Sequence, residues 1–324
     1  GFAGLFDARE LAAYRHPLLA TSTDGVGTKV AIAQAMDIHD TIGHDLVGMV
    51  VDDIVVVGAK PLFMTDYIAC GRVVPQRIAA IVRGIAEACR ITGTALVGGE
   101  TAEHPGLLAA DEYDVAGAVT GVVEKDAVLG PERVRAGDVL VAMASSGLHA
   151  NGYSLVRRVI ADAGWELDRE VADLGRTIGE ELLEPTRLYT QLCLDLAASY
   201  DVHAFSHVTG GGLAANLARV LPAGAVGEID RASWQVPPIF QLIAELGPVT
   251  WESMERTLNL GVGMVAVVAA DDADAVVADS VAAGVPAWVL GTVGEASAAE
   301  ADLVTGTKGV QAGAVELRGH YRMS

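Results

Sequence analysis

The stretch "TSTDGVGTKV", residues 21–30, sets one acid, two glycines, a threonine and a lysine behind an apolar run. Glycine lets backbone approach a ligand and adopt positive φ at little steric cost. Gly25 and Gly27 therefore suit either a plain turn or a loop built around phosphate. Asp24 can hold a divalent cation, and Thr28 and Lys29 can meet phosphate oxygens. The spacing is neither that of a P-loop nor that of a dinucleotide fingerprint, so these residues alone leave both roles open. Further on, "MVVDDIVVV" places Asp52 and Asp53 inside a strongly apolar run. A buried acid is costly unless it pairs or binds metal, which marks Asp53 as a functional candidate on the buried side and leaves Asp52 open between function and an exposed helix flank. Asp45 lies about two helical turns before Asp52, so those two share a face.

Three loops add to this. "GGETAEHPG", residues 98–106, gathers Glu100, Thr101, Glu103 and His104 at a strand end. Acids with glycine there suit a Mg²⁺ site completed by phosphate oxygens, or a solvated polar loop. "SSGLHANGYS", residues 145–154, offers Ser145, Ser146, His149 and Asn151 to a sugar phosphate or a carbonyl, and His149 can transfer a proton near neutral pH. "HVTGGGLAANL", residues 207–217, puts Gly210, Gly211 and Gly212 at a helix N-terminus, where free N–H groups and the helix dipole attract anions; an ordinary glycine-rich connection reads the same way. Asp66, Asp114 and His203 read as structural hydrogen-bonding groups.

Elements must carry these residues. "HPLLATSTDGVG" predicts a strand running into a glycine turn, and residues 40–57 a helix capped by Asp40 or Thr41 and stopped by Gly58 and Pro61. The β-branched "IVVV" leaves a strand possible in its second half. "PLFMTDYIACG" is a strand, and "PQRIAAIVRGIAEACRITG" an amphipathic helix opened by Pro75 and closed near Gly93. "TALVGGETAEHPG" is a short strand ending in its polar loop, and "DEYDVAGAVTGVVEK" a long half-buried strand. A second unit opens near residues 126–136. It runs through the strand Val139–Met143, a helix from "NGYSLVRR", a helix after Pro185, a strand and helix over "VHAFSHVTGGGLAANLARVLP", and a final strand, helix and strand.

The chain has 324 residues, enough for roughly two domains. It is 51% hydrophobic but only 5% aromatic, so Ala, Val, Leu and Ile build its cores, as in an α/β or α+β enzyme. A formal charge of −20 excludes a nucleic-acid or anionic-membrane surface. It leaves room for phosphorylated small molecules, whose charge local Lys, Arg, backbone N–H groups or metal can neutralise. Cys70, Cys89 and Cys193 have no metal-ligand spacing and fit reduced thiols of a cytoplasmic protein. No apolar run reaches the ~18–20 residues of a membrane span.

Taken in order, "TDGVGTK", "HDTIGHDLVGMVVDDIVVVGAKPLF", "LVGGETAEHPG", "YDVAGAVTGVVEK", "SSGLHANGYSLVR", "LLEPTRLY", "HAFSHVTGGGLAANLARVLP" and "NLGVGM" closely resemble the phosphoribosylformylglycinamidine cyclo-ligase family of aminoimidazole ribonucleotide (AIR) synthetases. The resemblance runs from about residue 1 to residue 295; the last stretch, from "EASAAEADLV" onward, matches little. It implies an α/β (α+β) fold of two domains, residues 1–130 and 131–324. The first would pair with its copy in a homodimer through a sheet or barrel, with the cleft running between domains. It implies a ligase of purine biosynthesis that uses ATP and Mg²⁺ to activate formylglycinamidine ribonucleotide and close its imidazole ring. Carried over by motif, Asp24, Asp53 and Glu100 are expected as metal ligands, and Gly25, Gly27, Thr28, Lys29 and Thr101 as phosphate contacts. His149 and Asn151 belong to the substrate-side cleft. His207 with Gly210, Gly211 and Gly212 forms a second anion-binding edge, either for nucleotide or for ribose phosphate. His149, Asp53 and Lys29 are the expected catalytic residues. Members of the family carry a glycine-rich, lysine-bearing segment ahead of "GFAGLF", expected to fold over ATP; this sequence starts inside that motif.

Overall fold

The structure, a computed structural model, describes residues 3–295, 303–306 and 312–323. The first two residues of "GFAGLF" and part of the unmatched C-terminal stretch lie outside them. The N-terminal half runs β1 (Pro17–Gly25), α1 (Val30–Met36), α2 (Thr41–Val55), β2 (Lys60–Cys70), α3 (Pro75–Thr92), β3 (Ala95–Glu103) and β4 (Tyr113–Glu124). Its sheet has the order β1-β4-β2-β3. β4 is antiparallel to both neighbours, and β2 and β3 are parallel. That parallel pair needs a crossover, which α3 supplies, with Pro75 in its first turn and Gly93 closing it at φ +70°. One sheet face is covered by α2 and α3. The other is open, with Leu19 62% and Tyr67 41% exposed.

The C-terminal half runs β5 (Val139–Ala144), α4 (Tyr153–Asp162), the two-residue strands β6 (Glu170–Val171) and β7 (Arg176–Thr177), α5 (Ile178–Leu182), α6 (Thr190–Ser199), β8 (Val202–His207) and α7 (Gly212–Arg219). It continues through β9 (Ala225–Asp230), α8 (Pro238–Leu246), α9 (Trp251–Glu255), β10 (Val262–Val268), α10 (Ala273–Ala282), β11 (Ala287–Glu295), β12 (Val304–Thr305) and β13 (Ala314–Arg318). The large sheet has the order β12-β13-β9-β11-β5-β10-β8. Leu140 and Ala142 of β5 pack with Leu213 and Leu217 of α7, while Val141 and Met143 pack with Cys193 of α6 and Val276 of α10. Burial on both faces explains why β10 reads as an unbroken apolar run rather than an alternating one, while the equally buried β8 carries His203, Ser206 and His207 among its apolar residues. A third core joins the halves, uniting Val47 and Val50 of α2 with Leu148, Tyr153, Val156 and Phe240.

Several expectations change. The segment "IVVV" stays helical to Val55, and neither Asp40 nor Thr41 caps α2 with its side chain. The glycines and acids of residues 98–103 lie inside β3 rather than in a loop beyond it. The helix expected from Pro185 starts only at Thr190, because residues 186–190 spend donors on α2 instead: Asp45 accepts from the Thr186 N–H and hydroxyl, and Asp52 from the Tyr189 N–H and Thr190 hydroxyl. Asp45 and Asp52 do share a face, and that face grips the other half of the molecule.

α2 and α3 cross with almost no separation. A Cβ on Gly43 would lie 2.0 Å from the Ile85 nitrogen, and one on Gly84 1.9 Å from the Asp40 carbonyl oxygen. Gly84→Ala is expected to push the helices apart and destabilise the fold by about 3 kcal/mol, measured by denaturant unfolding; a loss below ~0.5 kcal/mol contradicts the contact.

Candidate active site

β1 brings Asp24 to the end of the TDGVGTK segment. In register across the sheet lie Asp24, Gly117, Asp66 and Gly99, on β1, β4, β2 and β3 in turn. Residues in one such row share a face, and it is the face that α2 covers, since Ser22 Oγ approaches Asp53 Oδ2 at 3.4 Å. Asp66 was expected to be a structural acceptor, yet no other described residue donates a hydrogen bond to its carboxylate. Burial pushes it up to about 6. It leans over Gly99, where a Cβ would meet both its oxygens at 2.6 Å. Asp114, by contrast, accepts from the Val115 N–H at 2.9 Å, as expected.

Asp52 and Asp53 differ from expectation in burial, Asp52 being the buried one, while Asp53 keeps its place as the functional candidate. Asp52 is fully buried, and burial pushes its carboxyl up to about 6 against the opposing pull of His207 and two hydrogen bonds. Asp53 is the half-exposed one. Its Oδ1 lies 2.9 Å from Nδ1 of His207, at the end of β8. Nε2 of His207 makes no hydrogen bond among the described residues. Burial lowers this histidine's pKa, but the bonded Asp53 carboxylate, with Asp52 and Asp24 nearby, holds it above the ordinary 6.5. Beyond His207 the chain passes Gly210 to Gly211 and Gly212, at φ +102° and +76°, into α7. Glycine is required at the second for space as well, since a Cβ on Gly212 would lie 1.8 Å from the Glu255 carbonyl oxygen. Asn151 closes this end. Its Nδ2 is 3.4 Å from Sδ of Met49 on α2, and its Oδ1 would be 3.5 Å from a Cβ on Gly210. Asp24, Asp53, His207, Asn151 and the glycine loop thus border one cleft between the two halves.

Other expected site residues lie elsewhere. Lys29 is fully buried, with Nζ donating to Asp45 Oδ1 at 2.8 Å, the His149 carbonyl at 3.0 Å and the Glu184 carbonyl at 2.7 Å. An ammonium has three donors, all taken, which corrects the reading of Lys29 as a catalytic phosphate contact. His149 is 2% exposed, and Nε2 accepts from the Ser146 N–H. Burial, then the positive charges of His207, Lys29 and Arg187, lowers it well below 6.5. Burial thus disfavours the charged ring and makes His149 a weaker base than an exposed imidazole. Glu100 pairs in register with Tyr67, so it faces away from Asp24 and Asp53 and cannot join them in one metal site within the chain. Thr101, beside Ile68 in the register, shares the covered face. Thr28 is exposed, with its hydroxyl 3.2 Å from that of Ser154. Gly25 donates its N–H to Asp24, and Gly27 takes φ +72°. No three acids, histidines or cysteines among the described residues stand close enough to hold an ion by themselves.

The AIR synthase related protein family matches this chain twice, its N-terminal domain over residues 9–123 and its C-terminal domain over residues 135–303. The phosphoribosylformylglycinamidine cyclo-ligases of a Geobacillus species and of Shouchella clausii are 47% and 49% identical over 294 residues, 90% of this chain and 85% of each relative. Among solved structures, thiamine-monophosphate kinase from Stenotrophomonas maltophilia superposes with a TM-score of 0.71 at 19% identity, covering 99% of this chain and 90% of its own. The hydrogenase maturation protein HypE of E. coli gives 0.65 at 22%, covering 91% and 85%. At that identity the likeness shows the fold alone.

A histidine raised by a carboxylate contributes stability that is complete below its unfolded value and is lost as pH rises through its folded value. In the metal-free protein, His207 is expected to titrate above 6.5 by NMR of its ring protons, and Asp53→Asn to bring it down, removing that slope of stability against pH. An unchanged titration in Asp53→Asn overturns the pairing.

Proposed function

The chain belongs to the AIR synthase related family, among the phosphoribosylformylglycinamidine cyclo-ligases, and on that premise we propose how its cleft performs their reaction. It is an enzyme of purine biosynthesis that forms aminoimidazole ribonucleotide from formylglycinamidine ribonucleotide. The observation that carries the site assignment is the convergence of Asp24, Asp53 and His207 with the Gly210–Gly212 loop, contributed by both halves of the molecule.

The chemistry is constrained by a poor leaving group. The formyl amide oxygen departs readily only after it takes the γ-phosphoryl group of ATP, giving an imino-phosphate and ADP as the amide N–H loses its proton. The amidine-side nitrogen of the same molecule then attacks that carbon. A C–N bond forms, the C–O bond breaks, phosphate leaves, and one N–H proton is lost. The protein must neutralise phosphate charge and hold the two ends of the substrate together. We assign proton acceptance to Nε2 of His207, which Asp53 orients through Nδ1. His207 and the N–H groups at the start of α7 form the anion-holding edge.

Mg²⁺ fits the acids present. Asp24 and Asp53 offer hard, accessible oxygens, and Asp66 is a carboxyl without an external donor, pushed up to about 6. So few protein ligands suit an ion that completes its shell from phosphate and water. Bound there it would offset the charge of the transferring phosphoryl group. The open face of the N-terminal sheet, with Leu19, Thr21, Thr23, Thr65 and Tyr67 uncovered, suits a second copy of the chain, since sheets bury a face against another layer. That homodimer would bring Glu100 to the interface. Among the described residues no helix is long and apolar enough to cross a membrane, and the reading places the enzyme in the cytoplasm with residues 1–130 and 131–324 as its domains.

The test is a coupled assay with Mg-ATP and formylglycinamidine ribonucleotide, following ADP and aminoimidazole ribonucleotide together. One-to-one formation of both supports the reading. ADP without the imidazole indicates another phosphoryl acceptor, and neither product indicates a silent nucleotide-binding module. Asp53→Asn is expected to lower kcat/KM at least a hundredfold, about 2.7 kcal/mol or more of transition-state stabilisation, while the melting temperature moves by only a few degrees. Wild-type turnover in that variant rejects the role of Asp53.

A further inference from the structure

Lys29 sits in the TDGVGTK segment yet reaches away from the cleft. We infer that it is a positioning residue: with Asp45 it pins the 145–152 loop, and so Asn151, in the shape that receives the ribonucleotide. This rests on the cleft described above.

The contacts show what is pinned. Nζ of Lys29 joins three places distant in sequence: Asp45 on α2, the His149 carbonyl and the Glu184 carbonyl. Asp45 Oδ1 holds Thr186 as well, through its N–H at 3.0 Å and its hydroxyl at 2.6 Å. The loop itself is held in an unusual conformation. His149 has φ +60°, a left-handed value rarely adopted by residues other than glycine, and this turns its carbonyl to the ammonium. Ser146 donates its N–H to the same residue's ring and its hydroxyl to the Pro185 carbonyl at 2.6 Å. Two residues after His149 comes Asn151, set against Met49 and the Gly210 backbone. Next to Lys29, Thr28 meets Ser154 in the first turn of α4. One buried cation therefore fixes the end of β1, which carries Asp24, relative to the loop that carries Asn151.

A merely structural ion pair predicts something different. Breaking a buried pair strands a charge, whereas removing both charges is often nearly neutral for stability. Removing both here still leaves the His149 and Glu184 carbonyls without their donor, so the left-handed turn at His149 loses its tie to α2, although Ser146 and Asn259 still hold the start of the loop.

The experiment compares Lys29→Met with the double variant Lys29→Met/Asp45→Asn in the full chain. The single variant is expected to melt well below wild type, and the double to regain most of the loss. In the double, KM for formylglycinamidine ribonucleotide is expected to stay raised tenfold or more, with kcat and KM for Mg-ATP within threefold of wild type. A wild-type KM for the ribonucleotide, or an equal rise for both substrates, overturns the inference. Hydrogen exchange on the unmutated protein gives a second arm that does not depend on the variants folding. Amides 145 and 146, which donate to the Gly261 carbonyl and the His149 ring, are expected to be protected before ligand is added; protection that appears only with the ribonucleotide overturns the pin. A wild-type enzyme that makes no imidazole product rejects the proposed reaction but leaves this second arm readable.

Discussion

Three carboxylates on α2 lie in or beside an apolar interface, and the way each is neutralised dictates how the two halves of the molecule meet. Asp45 takes the Lys29 ammonium and two donors from Thr186. Asp52 takes the Tyr189 N–H and the Thr190 hydroxyl. Asp53 takes His207. Leaving Asp45 or Asp52 buried and unpaired would cost several kcal/mol, so their partners cannot be displaced singly, whereas Asp53 keeps access to solvent. Because those partners come from β8, from the irregular run before α6 and from the TDGVGTK segment, satisfying α2 fixes the relative placement of both sheets.

Close approach of backbones is the second constraint. Gly43 and Gly84 let α2 press on α3, and Gly212 lets α7 start against the Glu255 carbonyl. Gly99 leaves the Asp66 carboxylate room above the edge strand. In each case the missing side chain serves a helix or an acid rather than a turn. The glycines of "GGE" and "GGG" thus look alike in sequence but act differently: one set makes space beside a strand, the other opens the N–H groups of a helix.

Much of the scaffold could be read from one-dimensional patterns. α3 declared itself through Pro75, its apolar stripe and Gly93, and the seven-residue spacing of Asp45 and Asp52 predicted a shared face. What could not be read depended on pairing across the chain. Asp66 became a site candidate only when the register put it in one row with Asp24, because alternation along β2 says which face a residue occupies but not what stands beside it. Glu100 failed as a companion of Asp53 for the same reason, by the parity of one residue. Lys29 misled because its neighbours in sequence are glycine, threonine and acid, whereas its neighbours in space are two carbonyls contributed from beyond residue 148.

The division of the site between two sheets also suits the proposed reaction. Activation of an amide oxygen needs phosphate charge to be neutralised, while ring closure needs an uncharged nitrogen to approach carbon at close range and give up a proton. Here Asp24 stands near the end of β1 and His207 at the end of β8, and Asp53 on α2 lies between them. A single rigid helix carrying Asp53 in the cleft, with Asp45 and Asp52 anchored behind it, keeps those two functions at a fixed separation without asking either sheet to move.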